Sequence, residues 1–279
     1  MDKYVLIPQQ LKLEGTLTES QFYDPGKVDA PTVLMTHTQA YWTKLTEGTL
    51  TPREARKTGF PFSPLLVERA VSIAQGTLHN ALHALEHGCA INGAGGTHHA
   101  FTGHGEGFCI LNDFGIAANW LLHEGLVERI LIVDLDVHQG NGTAEIFRNE
   151  PRVFTFSMHC EANYPMHKET SDLDLALPAY LEDQAYLEKL EEVLPNLLDH
   201  FHPDMVFYLA GVDILATDKL GKLSISPQGC AERDRFVIQS CRDRDIPMAI
   251  SLGGGYSPDI WDIVEAHCQT FRIAQEVWN

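Results

Sequence analysis

Six cysteines (Cys89, Cys109, Cys160, Cys230, Cys241 and Cys268) are scattered through the 279 residues without a CxxC pair. Nothing at the N-terminus reads as a charged stretch followed by an apolar one, so the compartment that fits is a reducing cytoplasm. No apolar run approaches the ~18 residues that a membrane span needs. Positive charge is scarce: 20 Lys and Arg stand against 38 Asp and Glu, a formal charge of −18. Such a field repels nucleic acid and anionic membrane, argues against direct DNA binding and favours cationic partners, although plain solubility accounts for it as well. Internal repeats, low-complexity tracts and Gly/Ser/Pro linkers are also missing, so residues 1–279 are expected to form a single domain.

What the chain does have is a globular composition, 44% hydrophobic with its charges dispersed, and enough length to bury a substantial core. Apolar spacing predicts helices over Leu65–Leu85, Phe114–His123 and Tyr186–His200. Four compact apolar runs, Arg129–Leu135, Val153–Met158, Met205–Ala210 and Pro247–Leu252, predict strands buried on both faces. That combination implies a doubly wound α/β fold, its sheet mostly parallel and flanked by helices on both faces. Ligands of such sheets bind beyond the carboxyl ends of the strands.

The residues just past those runs are rich in chemistry. They read Asp134-Leu-Asp136-Val-His138, Ser157-Met158-His159, Gly211-Val-Asp213 and Gly253-Gly254-Gly255-Tyr256. A glycine-rich stretch, "GGTHHAFTGHGEGFC", adds the adjacent His98 and His99. A catalytic zinc takes three ligands from His, Asp, Glu or Cys and keeps one position open. Asp136 and His138 share a side in an extended segment because the side-chain period there is two, and Asp213 would arrive from a neighbouring strand end. Each fragment alone also has an ordinary explanation, since Asp after a strand serves turns and caps. Their joint occurrence at strand ends is what points to a site.

"GGTHHA", "GFCILND", "VDLDVHQGNG", "AGVDIL" and "LGGGY", in that order between Gly95 and Tyr256, resemble the zinc-dependent histone deacetylase superfamily and its arginase–deacetylase fold. "DVHQGNGTAEIF" and "AGVDILATDKLGKLSISPQG" look like its class IV branch and bacterial relatives, with Gln139 and Asn141 where class I enzymes carry His and Asp. "MDKYVLI" resembles a stretch that family members place after a first strand, so that strand is expected to be missing here. The resemblance implies zinc ligands at Asp136, His138 and Asp213, tandem histidines at His98 and His99, and a catalytic tyrosine at Tyr256. It further implies an acyl-lysine tunnel lined by Phe108 and Tyr164 with the Gly107 backbone beside the substrate. A structural potassium ion would be held by Asp134, Ser157 and backbone carbonyls near Asp136, His138 and Met158.

The implied activity is hydrolysis of an N-acyl-lysine amide by metal-activated water. Zinc would lower the pKa of its water towards ~7, and Tyr256 would donate to the developing oxyanion. His99 is assigned the proton transfers. His98, held by Asp134, is assigned electrostatic support. Because Asn141 cannot stabilise positive charge as strongly as a carboxylate does, His99 is expected to have a lower pKa than a carboxylate partner would give it. An acylated amine such as an acetylpolyamine is the rival substrate, although the long dimerisation insertion usual in those amidohydrolases is absent from the sequence. An arginase-like binuclear manganese site fits less well, because no acid stands two residues after His138. A non-catalytic acyl-lysine-binding relative is the third alternative.

Other features receive plainer readings. His79, His83 and His87 fall on one helix face and read as surface histidines. Cys109 reads as a small buried residue, and Phe60-Pro61 as shaping a loop at the rim.

Overall fold

Strands whose apolar residues run without interruption must be covered on both sides, and the alternation of their side chains then feeds two separate cores. The computed structural model, which describes residues 2–278, shows this division. Met1 and Asn279, the ends of the expected single-domain span, lie outside the described residues.

Six strands form one sheet among these residues: β1 (Cys89–Asn92), β2 (Ile130–Asp134), β3 (Val153–Cys160), β4 (Leu173–Leu177), β5 (Met205–Leu209) and β6 (Met248–Ser251). Their order is β1-β6-β5-β2-β3-β4 and every pairing is parallel. Helices α1 (Lys3–Leu13), α2 (Ala30–Leu34), α3 (Gln39–Glu47), α4 (Pro52–Thr58), α5 (Pro64–His87), α6 (Asp113–His123), α7 (Asn141–Phe147), α8 (Asp183–Phe201), α9 (Pro227–Arg242) and α10 (Ile260–Trp278) connect and cover the strands. Leu131, Val133, Val206 and Tyr208 point into a core shared with α8, α9 and α10. Ile130, Ile132, Met205 and Phe207 point the other way, onto α5 and α6. The doubly wound α/β fold expected from the sequence is therefore present, and its sheet is parallel throughout.

The four expected strands and three expected helices are all observed, with ends displaced by a few residues. β1 and β4 were not foreseen. Both are edge strands of four and five residues with largely half-buried side chains, so neither shows the long apolar run of a central strand. The chain reverses its direction of winding between β2 and β5, which are adjacent in the sheet. The crevice at their carboxyl ends, where ligands bind in open parallel sheets, holds the residues singled out above.

Candidate active site

Asp136 and His138 lie just beyond β2, and Asp213 just beyond β5. One potential ligand atom from each lies within 4.8 Å of the others. His138 Nδ1 is 2.9 Å from Asp136 Oδ1 and 3.3 Å from Asp213 Oδ2. The remaining oxygens are held by backbone: Gly254 N–H donates to Asp136 Oδ2 at 3.1 Å and Val137 N–H to Asp213 Oδ1 at 3.0 Å. Asp213 Oδ2 is buried with no hydrogen-bond partner. A Cβ on Gly254 would stand 2.0 Å from that atom, so only glycine fits there. Burial and the Asp136 charge push the Asp213 carboxyl up to about 6.

Two buried carboxylates this close repel each other unless a cation is shared between them. The two carboxylates and one imidazole, with an orphaned oxygen aimed at their centre, match the three-ligand donor set of a catalytic zinc. The residues present thus fit such an ion.

The tandem histidines are placed by "GFCILND". Asn112 caps α6 by accepting from Gly115 N–H, and its side-chain NH2 donates to Ala100 O at 3.1 Å. The next residue, Asp113, accepts from Thr97 N–H, Thr97 Oγ1 and Gly96 N–H at 2.7, 2.6 and 3.0 Å. Its carboxylate pins the turn that delivers His98 and His99, whose rings are 4.1 Å apart.

Their partners differ. His98 Nδ1 is 2.7 Å from Asp134 Oδ2, while His99 Nδ1 is 2.7 Å from Asn141 Oδ1. Burial discourages charge on His98, but Asp134 and Asp136 outweigh it and push the imidazole up to about 9. For His99, burial and the nearby His98 and His138 lower the pKa well below the usual histidine range, and Asn141 supplies only a weak counterweight.

A cavity of about 520 Å³ opens onto this centre. Of the singled-out residues, His98, His99, Gly107, Phe108, Asp136, His138, Tyr164, Asp213 and Tyr256 line it. Phe108 lies between Phe60 and Tyr256, with ring centroids 5.4 and 6.1 Å away. Tyr164 stands edge-on to His99 at 4.9 Å. Gly107 and Phe108 both have positive φ, and a Cβ on Gly107 would meet the His99 ring at 2.6 Å. The Tyr256 backbone N–H donates to Asp218. Burial, then Asp213 and Asp136, raise the Tyr256 phenol far above its ordinary pKa, which keeps it a proton donor.

Asp134, Asn141, Ser157 and Met158 are buried and do not line the cavity. Asp134 and Ser157 are register partners across β2 and β3, and both are buried. His83 and His87 are exposed and His79 is half-buried, and among the described residues these three histidines form no cluster of metal-binding size.

Several site residues were not foreseen. Lys3 is buried and donates to Gly253 O at 2.9 Å. Asp218 caps the Tyr256 segment, and Asn163 Nδ2 lies 3.4 Å from His138 Nε2. Glu106 is buried behind Tyr164 and Asn141. The only sequence signal for Glu106 was a charged residue set between glycines in the loop after the histidines.

A winding reversal, tandem histidines and a buried Asp-His-Asp cluster define an α/β protein of the arginase–deacetylase type. The Histone deacetylase domain family matches residues 1–271, and the chain belongs to that family. It is 47% identical over its whole length to an uncharacterized protein of Picosynechococcus sp., of which it covers 93%. It is 32% identical to histone deacetylase 2 of Arabidopsis thaliana, covering 65% of that protein with 87% of its own length. Against a probable deacetylase of Archaeoglobus fulgidus it is 30% identical, with 89% of this chain and 73% of that protein covered. The solved structure of an HDAC homologue complexed with SAHA superposes with a TM-score of 0.84 at 25% identity, covering 97% of this chain and 77% of that one. The HDAC homologue from Aquifex aeolicus gives 0.83 at 25% identity, with 96% and 77% covered.

Proposed function

We propose that the chain is a zinc-dependent deacylase that hydrolyses the amide of an N-acyl-lysine side chain, working as one catalytic domain in the cytoplasm. The observation that carries this reading is the Asp136–His138–Asp213 cluster at the foot of a cavity shared with His99 and Tyr256. Asp136, His138 and Asp213 would hold the ion. When bound, it would supply Lewis acidity towards the amide carbonyl and towards a water molecule, lowering that water's pKa to ~7.

The protein's own groups then divide the work. Phe108 and Tyr164 flank the extended alkyl arm, and the Gly107 backbone runs beside it. Tyr256, kept protonated by its surroundings, donates to the carbonyl oxygen as negative charge develops there. His99, kept neutral by burial, accepts the proton from water and passes one to the departing amine. His98, charged against Asp134, adds positive potential behind that exchange. Asp134, Ser157 and the carbonyls of Asp136, His138 and Met158 would supply an oxygen-only set of the kind that suits a hard cation, and we assign it a structural potassium ion. Asn141 and Gln139, in place of acid and histidine, favour a class IV-like position within the family.

Metal analysis combined with hydrolysis of an acetyl-lysine peptide, long-chain acyl-lysine peptides and acetylpolyamines tests the reading. About one zinc per chain, with peptide turnover that depends on Asp213, is expected. Activity indifferent to Asp213→Ala overturns it, and preference for acetylpolyamines moves the substrate to free amines.

A further inference from the structure

Glu106 is charged yet only 5% exposed, and four groups converge on it. Its Oε1 accepts from Asn141 Nδ2 at 2.7 Å and from the Tyr164 hydroxyl at 2.6 Å. Its Oε2 lies 2.5 Å from Lys57 Nζ and 3.4 Å from His104 Nε2. Burial opposes ionisation, but hydrogen bonds from His104, Lys57, Tyr164 and Asn141 prevail and hold the carboxyl well below the usual range. The loop is tied down on the same side, because Gly107 and Phe108 N–H groups donate to the carbonyls of Lys57 and Thr58.

We propose that Glu106 is a positioning residue that fixes the direction of the Asn141–His99 hydrogen bond and, through it, the tautomer of His99. An ionised carboxylate only accepts, so Asn141 must turn its NH2 towards Glu106. Its carbonyl oxygen then faces His99 Nδ1, 2.7 Å away, and that nitrogen must carry the proton. The lone pair of neutral His99 is left on Nε2, where a proton acceptor needs it. Lys57, half exposed at the rim, holds the outer oxygen and keeps the whole relay oriented. A buried amide with no charged neighbour has no preferred direction, whereas Glu106 gives Asn141 one.

The catalytic consequence rests on the deacylase reading, but the tautomer does not. The experiment uses 15N-histidine-labelled, zinc-loaded protein, with the His99 signals assigned through a His99→Gln variant, alongside kcat and KM on an acetyl-lysine peptide. The unsubstituted protein is expected to show Nδ1–H at His99. In Glu106→Gln, Lys57 attracts the new amide oxygen and the NH2 turns inward. Asn141 then reverses and His99 passes to the Nε2–H form. The kcat falls on the order of 10- to 100-fold, as loss of an orienting partner behind a reactive group typically does, and KM changes far less. Adding Asn141→Asp places an acceptor-only group against that NH2, returns the proton to Nδ1 and recovers most of the lost kcat.

Nε2–H in the unsubstituted protein overturns the proposal even if no variant folds. So does Glu106→Gln that keeps both Nδ1–H and full kcat, or a double variant no better than the single one. Absence of peptide turnover in every form defeats the deacylase reading alone, because the spectra still report the tautomer.

Discussion

His98 and His99 are neighbours in sequence with rings 4.1 Å apart, yet one faces a carboxylate and the other an amide. The pair is therefore split electrostatically: Asp134 favours charge on His98, and that charge helps keep His99 neutral. Two imidazoles in near-identical burial are thereby given different protonation states at one pH.

Replacing Asn141 by Asp puts a carboxylate against His99 Nδ1 and stabilises the imidazolium, so the pKa of His99 rises. A proton acceptor is active only when neutral, so the acidic limb of the kcat/KM profile moves to higher pH. Glu106, 2.7 Å from the Asn141 side chain, shares a proton with the new carboxylate and blunts the effect. The shift is expected to be larger in a Glu106→Gln background. A limb that stays in place in both backgrounds contradicts the assignment of His99.

Tyr256→Phe removes the donor proposed for the developing oxyanion and leaves the proposed metal ligands Asp136, His138 and Asp213 unchanged. A fall in kcat on the order of 10²–10³ is expected, with zinc content by elemental analysis unchanged. Loss of zinc together with activity would mean instead that the tyrosine matters to the metal site.

Asp213→Asn keeps the shape that accepts the Val137 N–H but deletes one of the two buried charges. Zinc affinity should fall steeply, and added zinc should restore only part of the turnover. Chelation of the unsubstituted protein should abolish activity reversibly. Turnover that survives complete chelation would count against a metal-dependent reaction.

His37 gives a stability prediction away from the chemistry. It is 2% exposed; its Nδ1 lies 3.0 Å from Phe101 O, and its Nε2 accepts from Asn112 N–H at 3.0 Å. The ring therefore clamps the histidine loop to the start of α6. Burial lowers its pKa from 6.5 to about 4. The unfolded chain takes up that proton first, so the contribution of His37 is complete above pH 6.5 and is lost as pH falls through 4. The loss is on the order of 3 kcal/mol across that span. His37→Gln can donate and accept in the same places without titrating. Denaturant unfolding between pH 6.5 and 4 should show a shallower loss in His37→Gln than in the unsubstituted protein. Parallel losses would assign the acid sensitivity elsewhere.

The central strands were legible because burial on both faces forces continuous apolar runs; Asp136 and His138 were legible as polar residues past a strand end, although β2 stops at Asp134 and a bend over residues 136–138, not the strand alternation expected from the sequence, brings them together. Asp213 followed once its strand was seen to share the sheet. α9 was hidden for the opposite reason. Its Arg233 is fully buried, paired with Asp234, and donates to Leu135 O and Gly211 O, so residues that look like surface mark its inner face. Glu106, Lys57 and Tyr164 meet only because two separate loops cross the last turn of α4, and no periodicity within one segment encodes a crossing.

Asp136 and Gly254 are 118 positions apart in the chain but joined by a 3.1 Å hydrogen bond. That closure needs β6 docked against β5, which is itself docked against β2. The last-made strand thus completes a centre whose first histidines were synthesised some 150 residues earlier. Contacts of such long range carry a large loop-closure entropy cost and are slow to form. On the deacylase reading, turnover is expected only from a chain long enough to include the glycine turn, because a nascent chain halted short of it lacks the backbone N–H that closes onto Asp136.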